Sequence, residues 1–165
     1  MRRTAMLVSA AAVVLFTASL FAQAKPSFAG KWTMVADPNA APAGGGRGRG
    51  GFGGLGMEFT AAQDDKALTV TSTGQNGEVK SIYNLDGSDS KNTMNFGGNA
   101  IDRISKTKWD GARLVITTTT NFNGNANEST QTWSLDASGN LIVEATNPGR
   151  NGGAATTTKT TYKKG

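Results

Sequence analysis

From Phe28 onward the chain alternates, at a period of two, between residues suited to a core and residues suited to water. Phe28-Ala29-Gly30-Lys31-Trp32-Thr33-Met34-Val35-Ala36 predicts a first strand, with Trp32, Met34 and Ala36 on one face, stopped by Asp37-Pro38. Beyond Gly56, stretches rich in Thr, Val, Ile and aromatics are broken by turn signals roughly every ten to thirteen residues, a spacing typical of sandwiches and barrels. Strands are expected over Met57 to Gln63, Ala67 to Gly74, and a segment whose Val79, Ser81, Tyr83 and Leu85 share a face. Others follow over Thr93 to Phe96, Ile101 to Trp109, Arg113 to Phe122, Ser129 to Leu135, Leu141 to Thr146 and about Ala155 to Tyr162.

The turns carry their own chemistry. Asn76-Gly77 supplies the positive φ angles of a tight hairpin. Tyr83-Asn84-Leu85-Asp86-Gly87, Lys108-Trp109-Asp110-Gly111 and Trp133-Ser134-Leu135-Asp136 share an order of aromatic, aspartate, turn, in which Asp bonds its own backbone two residues on. No segment after residue 24 has helical periodicity. Short turns make successive strands antiparallel neighbours, and a long open meander leaves exposed edges. The expected fold is therefore all-β, an antiparallel meander barrel of about eight to ten strands, with a β-sandwich as the alternative.

Ahead of this pattern stands a different one. Met1-Arg2-Arg3 precedes an apolar run from Leu7 to Phe21, which ends at Ala22-Gln23-Ala24. A basic head, an apolar middle too short for a comfortable membrane span and a small-x-small exit predict a signal peptide over 1–24, cleaved after Ala24. The product is expected in the periplasm or outside the cell, as one domain over 25–165 with no membrane span. Its formal charge drops from +5 to +3, too mild to argue for a polyanion. The chain has no cysteine, so export brings neither a disulfide nor a lipid at a mature N-terminal cysteine. It has no histidine either, which removes the commonest general base and transition-metal ligand. No cofactor motif is present, and no catalytic or metal-ligating residue can be named.

Phe28-Ala29-Gly30-Lys31-Trp32 resembles the G-x-W signature of the calycin group, which includes lipocalins and avidins, and the chain is similar to small exported lipocalin-like domains of bacteria. The resemblance implies an up-and-down barrel in which Gly30 and Trp32 close one end. It also implies a basic residue from near the last strand lying across the tryptophan. Lys159, Lys163 and Lys164 all qualify, and spacing does not choose between them.

Residues 40–56 are Ala, Pro, Gly and Arg with little else, and are expected to form a flexible loop. Gly44 to Phe52 resembles an RNA-binding arginine-glycine segment, but a single copy behind an export signal argues against nucleic acid. A loop after the first strand can lie over a barrel mouth, which would place Phe52, Leu55 and Met57 beside a ligand. The aromatics Trp32, Phe59, Tyr83, Phe96, Trp109, Phe122 and Trp133 suit a core more than a cavity wall. Most aspartates fall in turns, while Glu58 and Glu144 sit in strands, which offers no facing pair for glycoside hydrolysis. Threonine runs such as Thr117 to Thr120 are ordinary strand residues. The function expected is non-catalytic: binding of a small hydrophobic ligand in or at the mouth of the barrel. The alternative is an envelope-associated interaction module or secreted enzyme inhibitor working through its loops.

Overall fold

A computed structural model of the chain describes residues 24–36, 55–74, 77–96, 98–122, 124–149 and 153–165. Ten strands run through these residues: β1 (Gly30–Met34), β2 (Glu58–Gln63), β3 (Ala67–Gly74), β4 (Gly77–Asn84), β5 (Ser90–Phe96), β6 (Asn99–Asp110), β7 (Arg113–Phe122), β8 (Asn125–Leu135), β9 (Leu141–Asn147) and β10 (Thr156–Lys164). All pairings are antiparallel, in the order β4-β3-β2-β1-β10-β9-β8-β7-β6-β5. First and last strands meet through Trp32 opposite Lys164 and Met34 opposite Tyr162. The meander thus curls into a nearly closed barrel rather than a sandwich.

β3 and β7 occupy the spans that periodicity predicts. β5 and β8 begin earlier, at Ser90 and Asn125, because polar residues there are held in the ladder by β6 and β7. Ala36 lies beyond the end of β1 and so does not extend the Trp32–Met34 face. Two of the three aspartate turns form as their residues demand, while at the third Asp110 pairs with the Arg113 side chain. Asp86 and Asp136 each accept the backbone N–H two residues on, at 2.9 and 2.8 Å, and Asp64 accepts those of Lys66 and Ala67.

One pair of neighbours is joined differently. β4 and β5 lie side by side without a backbone ladder, and side chains fill the seam. The Asn92 carboxamide accepts the Ile82 N–H at 2.8 Å and donates to the Ile82 carbonyl at 2.9 Å, the two bonds a peptide group on an adjoining strand would make. The Asn84 N–H donates to the Ser90 hydroxyl at 2.7 Å, and the Thr107 hydroxyl donates to the Asn84 carbonyl. These contacts satisfy the backbone groups of Ile82 and Asn84 that the edge would otherwise leave free.

Inside, the barrel has two unlike halves. The core gathers at the end where β1 begins and β10 finishes, around Trp32, Phe59, Leu68, Leu114, Trp133 and Leu141. Phe28 closes this end. It stacks on Trp109 with ring centroids 6.0 Å apart and meets Trp133 edge-on at 5.7 Å. Gln63 holds the entering segment by accepting the Phe28 N–H and donating to the Pro26 carbonyl. The Trp32 indole donates to the Phe28 carbonyl at 2.8 Å. Burying large aromatics in mutual contact supplies most of the stability this cysteine-free chain can draw on.

Candidate functional site

Strand parity locates the site. Along β6 the inward positions are Ile101, Arg103, Ser105, Thr107 and Trp109, and along β7 they are Leu114, Ile116, Thr118 and Thr120. Read from the closed end upward, β7 passes from apolar to polar, while β6 runs from Trp109 through Thr107, Ser105 and Arg103 to a buried Ile101 nearer the mouth. Ser105 and Thr118, both buried, share a hydrogen bond of 2.8 Å across the β6–β7 pair, so each hydroxyl is satisfied by its neighbour on the wall. On the far wall the inward residues of β8 to β10 become accessible toward the mouth: Ser129, Ala145 and Thr160 are half-buried, whereas Asn127, Asn147 and Thr158 are exposed. Water therefore reaches the β8–β10 wall of the upper half, whereas Ile101, Thr118 and Thr120 on the opposite wall stay buried.

Arg103 is the one cation on the inward face of that upper half among the described residues. It stands opposite Asn92 on β5 and Thr120 on β7. The residue is half-buried, and its Nε is shut away from water without a hydrogen-bond partner. The carboxylates of the strands all point outward. Lys31 pairs with Glu58 at 3.5 Å, Lys91 with Asp102 at 2.9 Å and Lys159 with Glu144 at 3.9 Å, all on the outer surface. Lys91 and then the Thr93 hydroxyl hold the Asp102 carboxyl below its usual range. Among the described residues no cluster of three or more Asp, Glu, His or Cys gathers at a point.

The residues singled out from sequence are placed as follows. Gly30 and Trp32 sit at the closed end, and the basic partner is Lys164: its Nζ lies 5.8 Å from the Trp32 ring centroid. Lys159 and Lys163 face outward instead. Gly30 has φ +146°, and a β-carbon there would come within 2.6 Å of Lys164 Cε, so the lysine stem runs over the space a side chain would take. Leu55 is buried in the core cluster, while Met57 is 63% exposed. Their segment is tied down between β1 and β10, with the Met34 N–H donating to the Met57 carbonyl at 2.8 Å and the Tyr162 hydroxyl to the Gly56 carbonyl at 3.2 Å. Burial pushes the Tyr162 hydroxyl up to about 12. Phe52, Ala22 and the Gly44 to Gly51 stretch lie outside the described residues, and Ala24 is exposed ahead of β1. Trp32, Phe59, Tyr83 and Trp133 belong to the core, and Trp109 packs against it.

Sequence reasoning passed over Arg103 and Asn92. The signal for Arg103 was present, since it shares parity with Ile101 and Trp109 on one predicted strand. The chain matches no protein-family model and no curated protein sequence.

Proposed function

We propose that this chain is an exported, lipocalin-like, non-catalytic binding protein that takes a small ligand into the upper half of its barrel. One observation carries the reading: the interior is filled with aromatics at one end, whereas at the other the inward residues of β8 to β10 are largely polar and open to water, facing a β6–β7 wall of Ile101, Arg103, Thr118 and Thr120. A protein that needed only a stable barrel would fill both halves, because small barrels are ordinarily plugged by their own side chains. The lipocalin likeness is supported by the first-to-last strand closure and by Lys164 lying across Trp32 behind Gly30. The ligand's apolar part would rest on the top of the core, and its polar groups would meet the hydroxyl wall. Export rests on the N-terminal pattern of residues 1–24.

The test is amide chemical-shift mapping on the labelled protein during titration with small molecules extracted from the exported fraction of its host. Shifts concentrated at Thr118, Thr120, Ser129 and Thr158 support binding in the lumen. Shifts confined to outer positions beside the seam would overturn it in favour of an interaction module or inhibitor. Ile82 and Ile104, exposed at 42% and 40% on the outer faces of β4 and β6, give that second reading its foothold.

A further inference from the structure

A guanidinium placed inside a barrel is costly unless something compensates its charge. The desolvation of an ion amounts to several kcal/mol, and arginine cannot escape by losing its proton. Arg103 nonetheless occupies an inward position on β6, about 13 Å along the strand from its mouth end by the usual rise per residue. Its Nε is sealed from water and bonded to nothing. Among the described residues no acid inside neutralises it. Glu58, Glu78, Asp102, Glu128 and Glu144 all occupy outward positions, and the other described aspartates lie in turns or at strand ends. Asp102, its neighbour in sequence, points to the opposite face and is engaged by Lys91 and Thr93.

The immediate neighbours do not substitute for a counter-charge. The Asn92 carboxamide is committed to Ile82 across the seam, and the Ser105 and Thr118 hydroxyls are committed to each other. Thr120, buried opposite Arg103, has a hydroxyl to offer, and Thr158 lies on the accessible far wall. The result is a guanidinium on the inner wall, unmatched by any described internal acid, with the Thr118 and Thr120 hydroxyls beside it and Ile101 between it and the mouth. The planar fork of a guanidinium takes two oxygens of a carboxylate or phosphate side by side.

We propose that the lumen is an oxyanion site, and that its ligand is a small hydroxylated organic acid or phosphate ester whose anionic head sits on Arg103. The proposal rests on the lumen-binding reading above and supplies the ligand's charge and class. It also accounts for an interior cation kept at a cost to the fold, since functional sites commonly retain groups that stability alone would remove.

Two measurements test it together. In the first, the Arg103 Nε–H resonance is followed by NMR while glucuronate, inorganic phosphate or uncharged glucose is added. Saturable movement with either anion and none with glucose is expected, and whichever anion acts at lower concentration identifies carboxylate or phosphate as the head group. Arg103→Gln should weaken that binding roughly 10- to 100-fold, the loss of a charged hydrogen-bonding partner, with Arg103→Lys in between. In the second, Arg103→Met is unfolded by urea in anion-poor buffer. Its midpoint should equal or exceed that of the wild type, and added phosphate or glucuronate should raise the wild-type midpoint alone. A clear drop in the Arg103→Met midpoint would assign the arginine to the fold and overturn the proposal. If uncharged molecules bind in the lumen and Arg103→Gln changes nothing, the oxyanion site is wrong while the binding reading stands. If nothing of either kind binds, both fall.

Discussion

Replacing Gly30 with alanine isolates the device that closes the barrel. Two costs can be worked out. The backbone at φ +146° is a conformation that L-residues hold only under strain, at about 1–3 kcal/mol. The new β-carbon would also stand 2.6 Å from Lys164 Cε, a contact relieved by swinging a flexible stem aside. That movement takes the ammonium off the Trp32 ring, where a partly exposed cation–π contact is worth about 0.5–1 kcal/mol. Alanine restricts the unfolded chain, which returns about 0.4–1 kcal/mol. The net expectation is a loss near 2 kcal/mol, dominated by the backbone. Urea unfolding followed by tryptophan fluorescence reads it directly, since Trp32 lies at the altered end. Lys164→Ala should cost about 0.5–1 kcal/mol alone, and the double variant should fall short of additivity by a similar amount, because the crowded contact is then already gone. A Gly30→Ala protein as stable as the wild type would refute the strain. Full rescue by Lys164→Ala would show that crowding, not backbone, is the cost.

Three further outcomes are expected. Asn92→Ala removes both bonds to Ile82 and should cost about 1–3 kcal/mol, with faster hydrogen exchange at the Ile82 amide than at the ladder-bonded amides of β6 and β7; unchanged exchange there would show that the seam does not depend on this side chain. Tyr162 keeps its proton in the fold up to about 12 while the unfolded chain releases it near 10.0, so its stabilisation is complete below pH 10 and disappears as pH rises to 12, about 1–2 kcal/mol in all. Tyr162→Phe should abolish that alkaline slope in urea midpoints, and an unaltered slope sinks the assignment. Asp136, held below the usual carboxylate range by the Asn140 side chain and then by the N–H groups of its turn, stabilises the fold above pH 3.8 and loses that contribution as pH falls through its lowered value. Asp136→Asn should therefore flatten the acid limb of the stability curve, and a curve as steep as that of the wild type would contradict this.

The strands were legible because nearly every one carries a period-two pattern ended by Gly, Asn or Asp, and those are local properties. Arg113 to Phe122 needed nothing else. Asn125 to Glu128 could not be read this way, since three polar residues and an alanine join a strand only because β7 extends alongside them. The choice of Lys164 over Lys159 and Lys163 depended on where the first strand meets the last, a long-range pairing that spacing along the chain does not encode. The seam escaped for the same reason: Asn92 looks like an ordinary polar strand residue until Ile82 is seen beside it. Arg103 was different. Its parity was readable, but arginine in a strand is by habit assigned to solvent, and only the outward placement of the strand carboxylates makes its inward position informative.

The most direct test of a ligand-holding lumen is native mass spectrometry of the wild-type protein and the Arg103→Gln variant, each purified from the exported fraction of its own host. The account predicts a reproducible extra mass on the wild type, removed by mild activation and absent or strongly reduced on the variant. A bare polypeptide mass in every wild-type preparation would contradict it.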